Sequence, residues 1–208
     1  MEPNLSELQN LQTLIEKGNF SLAESKIKSL LEKYKDSEPL ESLLGMALVN
    51  QKKYEESIDV FKKLVKRNPK NFFALNNLSV SLMQTDKTKE AVESFKQILL
   101  INPKSVLTHY NLASLYMRIE RYEEAINHFK RSIELDSNYY KAYVNLGLVY
   151  KKKIQFDKAK IQFNKALVID PNNIASHINL GNIFLETKDY KKAISHYDKA
   201  LQIDPNLP

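Results

Sequence analysis

The sequence predicts an all-α protein of repeated helical hairpins stacked as an α-solenoid, and three observations predict it. Four glycines and seven prolines among 208 residues are too few for a loop-rich β protein. Apolar residues recur at helical spacing in pairs of runs, which short polar turns such as "KKKIQ" and "ETKD" separate. Prolines that would stop a helix recur at multiples of 34 residues, at Pro69, Pro103, Pro171 and Pro205.

Placing this proline at position 32 of each unit divides the chain into six repeats without an insertion or deletion. Ser137 takes the position of the proline in the fourth repeat. We expect one array over residues 1–208, with a short polar turn between the two helices of each repeat. The repeats span residues 4–37, 38–71, 72–105, 106–139, 140–173 and 174–207.

Small residues occupy one column in each of the two predicted helices of a repeat. The first-helix column contains Gly45, Ser79, Ala113, Gly147 and Gly181. The second-helix column contains Ala23, Ser57, Ala91, Ala125, Ala159 and Ala193. Small side chains let two helix axes approach closely, and a bulkier residue in the second-helix column would cost roughly 1–3 kcal/mol. The proline ends the second helix, because its ring and missing N–H oppose continuation.

These columns resemble the tetratricopeptide repeat, whose pattern is W-x2-L-G-x2-Y…A-x3-F…P. The resemblance covers essentially the whole chain, although tryptophan is absent and the first repeat keeps few of the motif residues. It implies a right-handed α-solenoid of six repeats that binds other proteins. The fifth repeat matches the pattern at Tyr143, Leu146, Gly147, Tyr150, Ala159, Phe163 and Pro171.

Asparagine recurs at position 6 of four successive first helices, which line the concave face in this kind of array. These residues are Asn77, Asn111, Asn145 and Asn179. An asparagine amide offers a donor and an acceptor that match a peptide backbone. The column resembles the asparagine ladder of O-linked N-acetylglucosamine transferases and kinesin light chains, which implies peptide binding. The alternative is that some copies only bond neighbouring helices; the functional interpretation is favoured for Asn111 and Asn145.

The predicted groove changes from apolar to basic along the array. Its apolar candidates are Phe73, Leu107 and Tyr110, with Leu43, Met46 and Met117 beside them. Its basic candidates are Arg118, Lys141 and Lys152. This gradient predicts a protein or peptide partner with apolar side chains at one end and an acidic stretch at the other. The alternative is that the cations are merely solvated and the apolar residues are half-buried packing.

The same face argues against two other functions. In the carboxylate clamp of chaperone-binding tetratricopeptide domains, cations occupy position 2, whereas here only Lys141 fits, so we do not expect capture of a chaperone tail. No metalloprotease, nucleophile-elbow, P-loop or dinucleotide motif occurs. His109, His128, His177 and His196 stand in aromatic columns, where packing explains them. We therefore expect no enzyme activity, cofactor or metal.

Charge and hydropathy limit the partners further. The net charge is +6 with a pI near 9.2, and the lysines of residues 151–165 spread over a turn and a convex helix. They lack an aromatic stacking motif, so specific nucleic-acid binding is not expected. No apolar run approaches the roughly 18 residues of a membrane span, and no signal peptide is visible. With no cysteine in the chain, we expect a cytoplasmic protein.

The last residues, "DPNLP", stand where a seventh repeat would begin. We therefore expect Ile194, Tyr197 and Leu201 to form an exposed apolar end. Three interpretations stay open: the chain is a fragment of a longer protein, it is the substrate-recruiting arm of a larger enzyme such as a glycosyltransferase, or it self-associates end to end through its uncapped last repeat.

Overall fold

The computed structural model describes residues 3–207, and all regular structure in that range is α-helical. The helices are α1 Leu5–Glu16, α2 Phe20–Lys33, α3 Glu38–Asn50, α4 Tyr54–Arg67, α5 Phe72–Gln84, α6 Thr88–Ile101, α7 Val106–Arg118, α8 Tyr122–Leu135, α9 Tyr140–Lys152, α10 Phe156–Ile169, α11 Ile174–Glu186 and α12 Tyr190–Ile203. The odd-numbered helices begin within one residue of the predicted repeat boundaries. The predicted fold class, an all-α solenoid of helical hairpins, is confirmed.

The chain divides into two compact units, Met1–Pro103 and Lys104–Pro208. The first unit contains α1–α6 and the second contains α7–α12. Within each unit, the two helices of a hairpin pack on one another, and each second helix packs on the first helix of the next hairpin. Each unit is therefore a stack of three predicted repeats.

A phenylalanine at one position of the second helix fills the centre of four successive hairpins. Phe61, Phe95, Phe129 and Phe163 are 34 residues apart and fully buried. They face the small first-helix column: a Cβ atom built on Gly147 would lie 2.7 Å from the ring of Phe163. Each buried ring stabilises its hairpin by roughly 1.5–3 kcal/mol, so the small column is needed for this close packing.

The turn inside every hairpin contains a residue with a left-handed backbone. These residues also recur every 34 positions, with φ between 56° and 77°: Gly18, Lys52, Asp86, Glu120, Ile154 and Lys188. Left-handed φ favours glycine, and it is least suited to a β-branched side chain such as that of Ile154. The sequence patterns did not reveal this column, because glycine occurs in only one of its six positions.

The second helices end in the same way with and without proline, so the predicted role of proline needs correction. Asp136 precedes Ser137 and has φ −143° and ψ 100°, close to the φ −135° and ψ 101° of Asp204 before Pro205. In both cases the aspartate Oδ1 accepts the backbone N–H two residues later, at 2.9 and 3.0 Å. This aspartate turn fixes the direction in which the chain leaves the helix, and the proline makes the backbone of the turn more rigid.

One buried carboxylate joins the first two hairpins of the first unit. Glu24 on α2 accepts hydrogen bonds from Lys28 at 2.6 Å and from Gln51 and Lys53 at 2.8 Å each. Burial alone would raise the pKa of Glu24, but these three donors overcome it and lower the pKa to about 2. The carboxylate therefore stays ionised and ties α2 to the turn between α3 and α4.

Candidate functional site

The first helices of the second unit bring three asparagines of the predicted ladder onto one face, each half-buried. Asn145 on α9 donates to the hydroxyl of Tyr110 on α7, at 2.9 Å. Asn179 on α11 accepts a hydrogen bond from Lys151 at 3.2 Å and donates to the carbonyl of Ala175 at 2.8 Å. Some asparagines of the ladder therefore link neighbouring helices, which is the alternative role that the sequence left open.

The same amides keep hydrogen-bonding capacity for a ligand. Within the described part of the chain, the Asn111 side chain has no hydrogen-bond partner, and no donor reaches the amide oxygen of Asn145. An asparagine amide has two N–H groups and an oxygen with two lone pairs. Asn111 therefore has the most unused hydrogen-bonding capacity of the three, Asn145 follows, and Asn179 is the most occupied internally.

The other predicted contacts of this face differ in how far they are exposed. Leu107 is 51% exposed. Lys141 and Lys152 are exposed, and within the range 3–207 their side chains form neither an ion pair nor a hydrogen bond. Arg118 is exposed at the last turn of α7. Tyr110 is half-buried, and its ring packs edge-on against Tyr139 with 5.2 Å between centroids. Its ring and its hydroxyl are thus both engaged inside the protein.

The first unit carries the two remaining predicted residues. Asn77 donates to the carbonyl of Phe73 one helical turn earlier, at 2.9 Å. Phe73 is partly exposed and borders an apolar groove of about 490 Å³, together with the predicted Leu43 and Met46. Helix α1 supplies the other wall, which includes Leu5. Sequence reasoning missed that wall because the first repeat keeps few motif residues.

A second pocket, which the sequence did not predict, lies in the second unit. It has a volume of about 580 Å³ and lies at the turns of the α7–α8 and α9–α10 hairpins. The pocket shares Met117, Arg118 and Lys152 with the predicted face. Its other lining residues include Tyr122, Ile154 and Phe156, which come from the turns and the second helices. The signal that could have found it is the isoleucine at a turn position where the other five repeats have glycine or a charged residue.

The four histidines form two equivalent pairs, one in the α7–α8 hairpin and one in α11–α12. The Nδ1 atoms of His109 and His128 are 2.9 Å apart, and those of His177 and His196 are 3.1 Å apart. Phe184 stacks on His196. Burial lowers the pKa of His196, and electrostatic repulsion from the neighbouring His177 lowers it further. Residues 3–207 contain no group of three or more His, Asp or Glu side chains arranged to hold a metal ion.

The last helix leaves apolar side chains in solvent, as the sequence predicts for two of three positions. Ile194 is 60% exposed, whereas Ile58, at the same position of the second repeat, is 1% exposed. Leu201 is also exposed. Tyr197 differs from the expectation: it is half-buried and donates to the side-chain oxygen of Asn182 at 2.7 Å. Its ring fills the space over Gly181, which the buried phenylalanines occupy in earlier repeats.

Among the helices of the described range, none combines the length and the apolar character that crossing a membrane requires.

The 34-residue helical hairpins, the small columns and the asparagine-bearing face define a helical repeat protein of the tetratricopeptide type. More particularly, the chain belongs to the family of the tetratricopeptide repeat protein 21 C-terminal ARM domain, whose model matches residues 20–208. No curated protein matches the chain significantly.

Solved structures of tetratricopeptide proteins have the same fold. A crystal structure of MamA is 27% identical and covers 78% of this chain and 95% of its own, with a TM-score of 0.74. A tetratricopeptide repeat protein from Parabacteroides merdae ATCC 43184 is 18% identical and covers 95% of this chain and 78% of its own, with a TM-score of 0.82. YrrB, described as a TPR protein with an unusual peptide-binding site, is 20% identical, with coverage of 86% and 93% and a TM-score of 0.69. Together with the family match, these similarities support a protein-interaction scaffold.

Proposed function

We propose that this chain is a protein-interaction scaffold that binds an extended segment of a partner protein along its first helices. The observation that carries the proposal is the unused amide capacity of Asn111 and Asn145, which lie on the same face as the exposed Leu107 and Lys141. A backbone amide of the partner could satisfy those groups in a nearly sequence-independent way. Side-chain selection would then come from the apolar and basic residues around them.

The expected affinity is modest. Each hydrogen bond between an asparagine and the partner's backbone contributes only about 0.5–1.5 kcal/mol net, because both groups leave water to form it. Apolar side chains of the partner add more, and the exposed Leu107 on the same face of the second unit offers a contact for them. An acidic stretch would suit the exposed Lys141 and Lys152. Such a partner combines the apolar and acidic features that the sequence predicts.

The test is a lysate pull-down that compares the native chain with a variant in which the four ladder asparagines are changed to alanine. Circular dichroism confirms that the variant is folded. The matched control changes Asn127 and Asn164 to alanine, because these asparagines are exposed on second helices, away from the proposed face. Partners that the native chain and the control retain, and the ladder variant loses, support the proposal. Equal retention by all three proteins contradicts it.

Binding, rather than chemistry, is the proposed activity, and we place it in the cytoplasm as the cysteine-free composition favours. Extracts fractionated by compartment test the location. A second candidate is self-association, which the exposed Ile194 and Leu201 on α12 favour. It predicts a mass that rises with concentration in sedimentation and falls with Leu201→Glu. A constant monomer mass for the native chain would contradict self-association.

A further inference from the structure

The pocket at the turns of the second unit has apolar walls and an open, charged rim. Leu148, Tyr122 and Phe156 are half-buried in its lining, so part of each side chain faces the space of about 580 Å³. A space of this size holds one or two large apolar side chains of a ligand. Since the pocket lies at the turn edge of the hairpins, it is distinct from the asparagine column, although Arg118, Leu148 and Lys152 border both.

Positive charge predominates around this pocket. Its lining contains three cations, Arg118, Lys151 and Lys152, and two carboxylates, Glu120 and Glu186. The Lys151 ammonium group is 3.2 Å from the neutral amide of Asn179, and Lys152 has no carboxylate partner in the part of the chain that the structure describes. Two of these cations belong to the fifth repeat, which contains seven lysines and two aspartates. That repeat therefore carries a net +5 of the chain's +6.

Ile154 stands at the rim in a conformation that its side chain disfavours. Its φ is 58°, and 73% of the residue is exposed to solvent. A left-handed backbone crowds the Cβ atom of an L-residue, and exposure leaves the apolar side chain in water. The left-handed backbone recurs at this position in all six repeats and belongs to the hairpin turn, but only here does the position carry an apolar side chain. Exposed apolar surface that adjoins a pocket marks an interaction site.

We infer that this pocket binds an acidic segment of a partner protein that inserts one large apolar side chain between Ile154 and Phe156. Carboxylates on either side of that anchor meet Lys151 and Lys152. The inference rests on the proposed function, since it takes the ligand to be a protein segment, but it adds a binding element outside the asparagine column. A nucleic acid fits less well, because it carries a phosphate at every nucleotide and cannot avoid Glu120 and Glu186, whereas a peptide can place uncharged residues beside them.

The experiment selects ligands for the native chain from a random peptide library displayed on phage. The enriched peptides are then synthesised, and their affinities are measured by fluorescence anisotropy. We expect acidic residues to flank a single leucine, isoleucine or phenylalanine in the enriched sequences. Lys152→Glu should weaken their binding by about tenfold or more, because it reverses a charge that the ligand contacts. Lys130→Glu, the same charge change on the exposed face of α8, should leave it unchanged.

The Ile154→Gly variant distinguishes a loss of peptide binding from a loss of folding. It removes the apolar rim and also relieves the strained backbone, so we expect weaker peptide binding from a protein that is at least as stable as the native chain. Unchanged binding by both Lys152→Glu and Ile154→Gly would overturn the inference. Enriched peptides without the acidic and apolar pattern would overturn it too, as would a single-stranded oligonucleotide that displaces them at lower concentration.

The ladder variant distinguishes this inference from the proposed function. Because Lys152 borders both sites, Ile154→Gly is the variant that separates them. Peptides whose binding is lost with the asparagine changes and retained with Ile154→Gly support the proposed function and refute the pocket. Peptides that depend only on Lys152 and Ile154 support the pocket and refute the role of the ladder. Dependence on both sets supports a segment that follows the first-helix face and anchors at its edge.

Discussion

Replacing Ile154 with glycine should stabilise the protein, although it removes an apolar side chain. An L-residue in the left-handed region costs about 1–2 kcal/mol, and a β-branched residue lies at the upper end of that range. Against this relief, glycine loses more backbone freedom on folding, about 0.5–1 kcal/mol. Because Ile154 is 73% exposed, its remaining contacts contribute only about 0.5 kcal/mol. The net expectation is a gain of about 0.5 kcal/mol.

Gly18, at the same position of the first repeat, allows the reverse substitution, in which glycine is replaced by a residue with a side chain. Its φ is 77°, and a Cβ atom built on it would meet no atom within 4 Å. Gly18→Ala therefore changes backbone strain without introducing a clash, and we expect a loss of about 0.5–1 kcal/mol. The opposite signs of the two variants isolate the left-handed backbone as the cause.

Urea titration followed by far-UV circular dichroism measures both free energies of unfolding. Amide hydrogen exchange in α9 and α10 adds a local measurement, since stability in stacked repeats is shared between neighbours. If Ile154→Gly destabilises these helices, or if Gly18→Ala leaves stability unchanged, the backbone argument is wrong. The side chain of Ile154 would then have to contribute to packing that its exposure does not indicate.

Three further predictions concern groups that are buried inside the units. Between pH 6 and pH 3 the chain should lose about 2 kcal/mol of stability, because Glu24 has a pKa of about 2 when folded and 4.5 as its ordinary value. Glu24→Gln should remove that dependence in urea titrations at pH 6 and pH 3. The pKa of His196 is lowered from 6.5, first by burial and then by His177, so the stabilisation from its neutral form is complete above pH 6.5 and is lost as the pH falls. His196→Phe should flatten this part of the profile of melting temperature against pH. An unchanged profile would show that His196 does not cause it. Gly147→Leu should lower the free energy of unfolding by about 3 kcal/mol, because the leucine would overpack against Phe163. Adding Phe163→Ile should restore part of that stability. If Gly147→Leu and the double variant are equally stable in a double-mutant cycle, the coupling is refuted.

The last of these predictions comes from the first repeat, where the same two columns hold different residues. Leu11 stands at the position of Gly147 and Ile27 at the position of Phe163, and both belong to one buried cluster. A large first-helix residue is thus combined with a smaller second-helix residue. Overall volume in the hairpin, rather than glycine itself, is what the packing requires.

The period of 34 residues was enough to predict every hairpin of the structure. Because the columns repeat at fixed spacing, a helix boundary that is ambiguous in one repeat can be inferred from the other five. The helix of residues 140–152, for example, begins where the boundaries of the neighbouring repeats predict it. The asparagine column could also be predicted from spacing alone, since position 6 lies away from the buried stripe. These features depend on periodicity, which a sequence displays directly.

Side-chain pairing across helices could not be predicted in the same way. The bond from Asn145 to the hydroxyl of Tyr110 joins residues 35 positions apart and depends on the orientation of two half-buried groups. The left-handed backbone at Ile154 is equally hidden, because "KKKIQ" contains no residue that favours it. The two helices that flank the turn impose that conformation, and tertiary packing of this kind overrides local preference.

The distribution of stability explains how a strained turn persists in this fold. The α9–α10 hairpin, which contains Ile154, buries many apolar groups, of which Phe163 alone contributes roughly 1.5–3 kcal/mol. A cost of about 1–2 kcal/mol at one turn is small beside that total and falls on a residue that contributes little to the core. The turn edge and the first-helix face are therefore free to vary in sequence without loss of the fold. Variants at Lys152 should change binding and leave the free energy of unfolding almost unaltered, whereas variants at Phe163 should lower stability first and binding only as a consequence.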